Sequence, residues 1–253
     1  MEVALYPFQY MRITQRHDEG NHLKHWKPTP NPLYSDKPWD EACKDGGKSY
    51  FTPFNDFKII EKLGNQKTGC SVRLESVNKL KIPFQKDPIK IEMTLTHMDE
   101  DNFKKVKVGE ILKKGTKVLM EGTSGSASGN HFHCTVNIGS YTGFIKNSNG
   151  KYVFAYKKSL LPNEAFYVDT TKTEILNSKK YSFIGVNYKK GMEGNEVSNI
   201  NNFLAEKIKG KLYGNYTLES IKVFQEQEKL KKTNGEVNLE TFEKLLDKGA
   251  NLW

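Results

Sequence analysis

The chain is poor in the features that staple a protein or anchor it in a membrane. Its three cysteines, Cys43, Cys70 and Cys134, are odd in number, widely spaced and without a Cys-x-x-Cys pair. That excludes a disulfide framework and a thiolate zinc knuckle, and leaves buried or idle thiols. No apolar run approaches the roughly 18 residues of a membrane span, and no basic stretch precedes an apolar core at the start. The expectation is a chain made in the cytoplasm without a signal peptide and without membrane insertion. Histidine is absent from the last 120 of the 253 residues: His17, His22, His25, His97, His131 and His133 all precede them. Acidic charge is short in the histidine-bearing part. Residues 1–188 hold 28 Lys and Arg against 20 Asp and Glu, while 189–253 hold 11 against 10, so the net +9 belongs mainly to the histidine-bearing part. Such an excess suits an anionic partner. The lysines are scattered and no aromatic and Arg pattern of a nucleic-acid module accompanies them, so nucleic acid is set aside.

What is present is led by Gly129-Asn130-His131-Phe132-His133, which opens an alternating run, 131–138. Side chains two apart on a strand share a face, so His131 and His133 project together with Thr135 and Asn137, opposite Phe132, Cys134, Val136 and Ile138. A lone His-x-His is a weak signal of a metal. His97 ends a second alternating run, Ile89, Ile91, Met93, Leu95, His97, at the mouth of its apolar face, where a bond to a backbone carbonyl would be the ordinary role. Further strand-like runs at 57–61, 71–77, 117–121 and 151–156, separated by Gly, Asn, Asp and Pro, predict a mostly antiparallel β domain. The loop Gly122 to Gly129 lacks the Gly-Lys-Ser/Thr ending of a phosphate site and reads as a flexible rim or a tight connection.

Beyond a connector at 179–192 the period changes. Val197, Ile200, Leu204 and Ile208, then Leu218, Ile221 and Phe224 after a cap at Thr217, then Phe242, Leu245 and Leu246 after a cap at Asn238, predict a small three-helix bundle over 193–253.

The ordered set of an upstream histidine, an Asp, Met93-Thr94-Leu95-Thr96-His97, Val106-Lys107-Val108-Gly109-Glu110 through Lys114-Gly115, the Gly-rich loop and Gly129-Asn130-His131-Phe132-His133 resembles the lysostaphin-like zinc metallopeptidases. These are the LytM type, metallopeptidase family twenty-three, which cut peptide bonds in bacterial peptidoglycan. The C-terminal stretch is similar to the small peptidoglycan-binding three-helix domain, through Asn195-Glu196-Val197, Tyr213-Gly214-Asn215-Tyr216-Thr217-Leu218-Glu219-Ser220-Ile221, Phe224-Gln225 and Asn234-Gly235-Glu236-Val237 with Thr241.

The resemblance implies a lysostaphin-like peptidase domain over 1–178 that binds Zn2+ through His22, Asp40 and His133, with His97 and His131 acting on substrate. The family places its first ligand about four residues before the Asp, whereas here a Pro-rich insert, 27–37, intervenes. His22 is preferred, His25 is the substitute and His17 the third choice. Two imidazoles and a carboxylate make a catalytic type of zinc site, since a structural site is closed by four protein ligands. Glu41, Asp87, Asp99, Glu100 and Asp101 are expected to be solvated surface groups. The implied partner is peptidoglycan and the implied role a phage or prophage endolysin released through a holin pore. The competing readings are a wall-binding scaffold that has lost its metal and, least favoured, a nucleic-acid binder. The bond cut and the oligomeric state are open.

Overall fold

The computed structural model describes residues 2–25, 37–43, 46–139, 141–146, 152–176, 185–186, 188–193, 195–204 and 210–252. Its centre is an eight-stranded antiparallel sheet. In chain order the strands are β1 (Ile13–Gln15), β2 (Trp39–Glu41), β3 (Phe57–Leu63), β4 (Ser71–Ser76), β5 (Glu92–Thr96), β6 (Ile111–Leu112), β7 (Phe132–Asn137) and β8 (Ser159–Leu160). Across the sheet the order is β6-β3-β4-β5-β7-β2-β1, with β8 pairing the far end of β7.

The period of two that marks these strands in sequence sorts their side chains. Phe57, Ile59, Val72, Leu74, Met93, Leu95, Phe132, Cys134 and Val136 all lie in one buried cluster on one face. Burying each large apolar side chain contributes about 1.5–3 kcal/mol. A one-residue slip of an inner strand would turn that set outward, which fixes the register. In that register His133 stands opposite Asp40 on one side and Thr96 on the other. The opposite, polar face therefore carries Asp40, His133 and Thr96 in a row. A hairpin, Tyr141–Lys146 with Tyr152–Tyr156, follows β7, and the Tyr156 hydroxyl bonds that of Thr94 on the polar face.

Several expected elements differ. The run 89–97 is broken, with Ile89 ending an outer hairpin strand (Gln85–Ile89) and β5 spanning Glu92–Thr96, so His97 lies just past the strand. Of 117–121 only Leu119–Met120 is strand. The sequence reading also missed β1, β2, β6 and β8, whose two or three residues are too short to show a period.

Six helices are described: α1 (Gly20–His25), α2 (Glu100–Lys105), α3 (Pro162–Ala165), α4 (Asn195–Leu204), α5 (Asn215–Gln227) and α6 (Leu239–Asp247). Among the described residues none is long and apolar enough to cross a membrane. Asn238 caps α6 by accepting from Thr241 N at 3.0 Å. Thr217 is not a cap: α5 starts after Gly214, and the buried Thr217 hydroxyl donates to Asn201 Oδ1 at 2.7 Å. Ile208, residues 179–184 and residue 187 lie outside the described residues. The last three helices share a second apolar cluster that takes in Val3, Leu5 and Tyr167. Along the N-terminal segment the alternation is complete, with Val3 and Leu5 in that cluster and Ala4, Tyr6 and Phe8 in the sheet's.

Candidate metal centre

His22, Asp40 and His133 arrive from three elements: α1, β2 and β7. Their donor atoms form a nearly equilateral triangle, with His22 Nε2 3.1 Å from His133 Nδ1 and 3.2 Å from Asp40 Oδ1, and His133 Nδ1 3.1 Å from Asp40 Oδ1. His22 is buried and the other two are half-buried. A tetrahedral site with bonds near 2.0–2.1 Å has donors about 3.3 Å apart, so the triangle matches a zinc-sized ion.

The protons point the same way. His22 donates Nδ1–H to the Arg16 carbonyl at 2.9 Å, which leaves Nε2 of the neutral ring a bare lone pair. A single proton on His133 Nδ1 leaves the His22–Asp40 edge as two lone pairs facing each other, whereas one central cation satisfies all three edges. Burial alone would raise the Asp40 carboxyl, yet the facing His133 and His22 hold it well below the usual carboxylate range. The residues present therefore fit the metal.

His97 and His131 flank this triangle. Their ring centroids are 4.8 Å apart, and His97 is 6.0 Å from His133. Each has its tautomer set by a carbonyl, His97 Nδ1–H donating to Ser124 O at 2.7 Å and His131 Nδ1–H to Gly129 O at 2.8 Å. Each Nε2 is thus left with its lone pair in the neutral ring, that of His131 lying 3.9 Å from Asp40 Oδ1. Burial, with His133 and His131 alongside, pushes His97 down to about 4, so its ring is neutral at neutral pH.

Strict alternation would place His97 with Leu95 in the core. Instead His97 has φ +67°, a left-handed backbone rare outside glycine, which turns its ring to the metal face. The loop that holds it is the Gly-rich stretch, and it is a tight connection. Ser124 is buried, its hydroxyl accepting from Cys70 N at 2.8 Å while its carbonyl holds His97. A Cβ on Gly125 would lie 2.8 Å from Gly69 Cα, and one on Gly122 2.6 Å from Asp99 N, so neither position has room for a side chain.

Of the other candidates, His17 faces Asp18 at 3.8 Å, and the side chain of His25 lies outside the described residues, as does nearly all of the 27–37 insert. Asp87 and Asp101 are exposed, as expected, and Asp99 and Glu100 lie partly exposed at the surface. Glu41 is a correction: it is 1% exposed, beneath Asp40, because alternation along β2 sends it into the core. Burial pushes its carboxyl up to about 8 despite bonds from Tyr6 and from Arg12 N. The thiols stay free, Cys70 and Cys134 buried.

No protein-family model and no curated protein matches the chain. Among solved structures it is similar to a zinc-containing peptidase from Vibrio cholerae, at 18% identity and TM-score 0.30 over 60% of this chain and 39% of that one. It is also similar to LytU, at 16% identity and TM-score 0.31 over 54% of this chain and 78% of that one. A third likeness is to the catalytic domain of a variant of the prophage-encoded M23 protein EnpA from Enterococcus faecalis, at 18% identity and TM-score 0.32 over 59% and 92%. The chain spans 39% of the length of the first of these. Likenesses this distant carry no argument about chemistry, which rests on the side chains.

Proposed function

We propose that this protein is a zinc-dependent endopeptidase that hydrolyses peptide bonds of bacterial peptidoglycan. The observation that carries the reading is the His22, Asp40 and His133 triangle, with His97 and His131 beside it, each with its Nε2 lone pair in the neutral ring. When bound there, zinc supplies a Lewis acid that polarises a carbonyl and acidifies water, through the position a three-ligand site leaves free.

The chain's own groups complete the reaction. His97, neutral and anchored through Nδ1, takes the proton of the attacking water on Nε2 and returns it to the departing amine nitrogen. His131, when its ring is doubly protonated, would donate from Nε2 to the carbonyl oxygen as negative charge develops there. The left-handed backbone at His97 and the Ser124 carbonyl hold the base still, so little reorganisation is needed at the moment of reaction.

The wall polymer as substrate is supported by the sequence resemblance and by the basic excess of residues 1–188. Residues 193–253 would hold the enzyme on that polymer and so raise its local concentration. A phage or prophage endolysin, reaching the wall through a holin pore, is the setting that suits this reading. Zinc-loaded protein added to purified sacculi should lower their turbidity and release new free amino groups. Release of reducing sugar ends instead would overturn the reading, because it signals glycosidic cleavage.

A further inference from the structure

The ligand Asp40 sits on a strand of only three residues, Trp39–Glu41, preceded in sequence by the 27–37 insert. So short a strand has little ladder to fix its register. A slip of one residue would turn Asp40 into the core and bring a neighbour to the metal face. Two side chains of β2 point inward and oppose that slip. Trp39 is fully buried among apolar groups. Glu41 places its carboxyl group in the same core, with Oε2 accepting from the Tyr6 hydroxyl and Oε1 from Arg12 N at 2.7 Å.

Tyr6 is itself closely packed. It is fully buried, with its ring 5.6 Å from that of Phe8 and edge-on to Phe166 at 6.1 Å. Its segment is bonded on both sides, Ala4 N to Lys81 O, Tyr6 N to Tyr167 O and Tyr167 N to Ala4 O, each at 2.9 Å, and the Asn55 side chain clamps Val3 O and Leu5 N. A buried polar pair adds little net stability, and replacing both partners by apolar groups of the same shape is often nearly neutral. The pair is therefore better explained by what it specifies than by what it stabilises.

We propose that Tyr6 is a positioning residue for the metal centre: its hydroxyl, through Glu41, pins β2 in the one register that presents Asp40 to His22 and His133. This rests on the metal-site reading of the preceding subsection. The full-length protein, freed of metal and titrated with cobalt(II), tests it through affinity and through the visible absorption, which reports ligand geometry. Tyr6→Phe should weaken cobalt binding about tenfold, the lower end for groups that orient ligands, and alter the spectrum. Ile59→Val, which loosens the same core away from β2, should lower the urea midpoint and leave affinity and spectrum unchanged. The double variant Tyr6→Phe/Glu41→Met removes both members of the pair, and should regain part of the urea midpoint, less the cost of the Arg12 N–H left without Glu41, while regaining none of the affinity.

Wild-type affinity and spectrum in Tyr6→Phe, or their recovery in the double variant, would overturn the proposal. So would an affinity that falls equally in Ile59→Val, because it would then merely follow stability. If the wild-type protein binds no cobalt, the metal-site reading itself falls, and this role with it.

Discussion

Gly125→Ala is the most telling single change outside the ligands, because it tests how His97 is held without touching any imidazole. Gly125 has φ +74°, which costs an L-residue about 1–2 kcal/mol. The new Cβ would lie 2.8 Å from Gly69 Cα and 2.9 Å from Gly69 N, backbone atoms that cannot rotate away. Carbon contacts relax near 3.5 Å, so the loop must retreat by about 0.7 Å. The adjacent Ser124 carbonyl moves with it, and a 2.7 Å bond to His97 Nδ1 lengthens to about 3.4 Å, beyond useful hydrogen bonding. A misplacement near 1 Å in a reacting group costs up to about a hundredfold. The variant should lose tenfold to a hundredfold in turnover on sacculi and about 2–3 kcal/mol of stability from the strain and the clash together. Metal content should stay full, since His22, Asp40 and His133 stand on α1, β2 and β7 and not on this loop. Imidazole NMR gives a second view, in which the Nδ1–H signal of His97 should broaden or vanish. Wild-type turnover together with an intact Nδ1–H signal would refute the idea that this loop positions the base.

Other expectations follow from the same geometry. Asp40→Ala, His22→Ala and His133→Ala should each strip the metal by elemental analysis, while His25→Ala should not; full metal in His22→Ala would reassign the first ligand. His97→Ala and His131→Ala should keep fold and metal but lose about a hundredfold or more in turnover, and near-native hydrolysis by either would remove its role. Folding lowers the His97 value from 6.5 to about 4, so the unfolded chain binds the proton first and stability falls as pH drops through that window. In metal-free protein that loss is at most about 3 kcal/mol, reduced by the ring's partial exposure, and denaturant titrations of His97→Asn should lack it. Leu5 is 2% exposed within the helical cluster, so Leu5→Ala should cost about 2–5 kcal/mol and speed hydrogen exchange in α5. Unchanged exchange there would mean that the N-terminal segment does not support the helices.

The sequence showed the sheet where its strands are long enough to display a period. Phe57, Ile59, Val72, Leu74, Phe132, Cys134 and Val136 announce buried faces by alternation alone, and that alternation also pairs His131 with His133. It could not show where β2 lies, because Trp39–Glu41 is too short, and so Glu41 reads as a surface acid when it is a core residue held by Tyr6. His97 was readable as a candidate but its direction was not. The turn to the metal face depends on a positive φ imposed by the Ser124 loop and by contacts distant in sequence. The first ligand was ambiguous for a related reason. The 27–37 insert separates His22 from Asp40 in sequence, and only the tertiary fold closes a 3.2 Å gap between them.

The most direct test of the account is mass spectrometry of the fragments released from purified sacculi by the full-length protein, with and without a chelator. The account predicts stem or cross-bridge peptides with newly exposed amino termini, abolished by the chelator, restored by zinc and absent with His133→Ala. Fragments that persist in the chelator and with His133→Ala, or sacculi left intact by zinc-loaded protein, would contradict it.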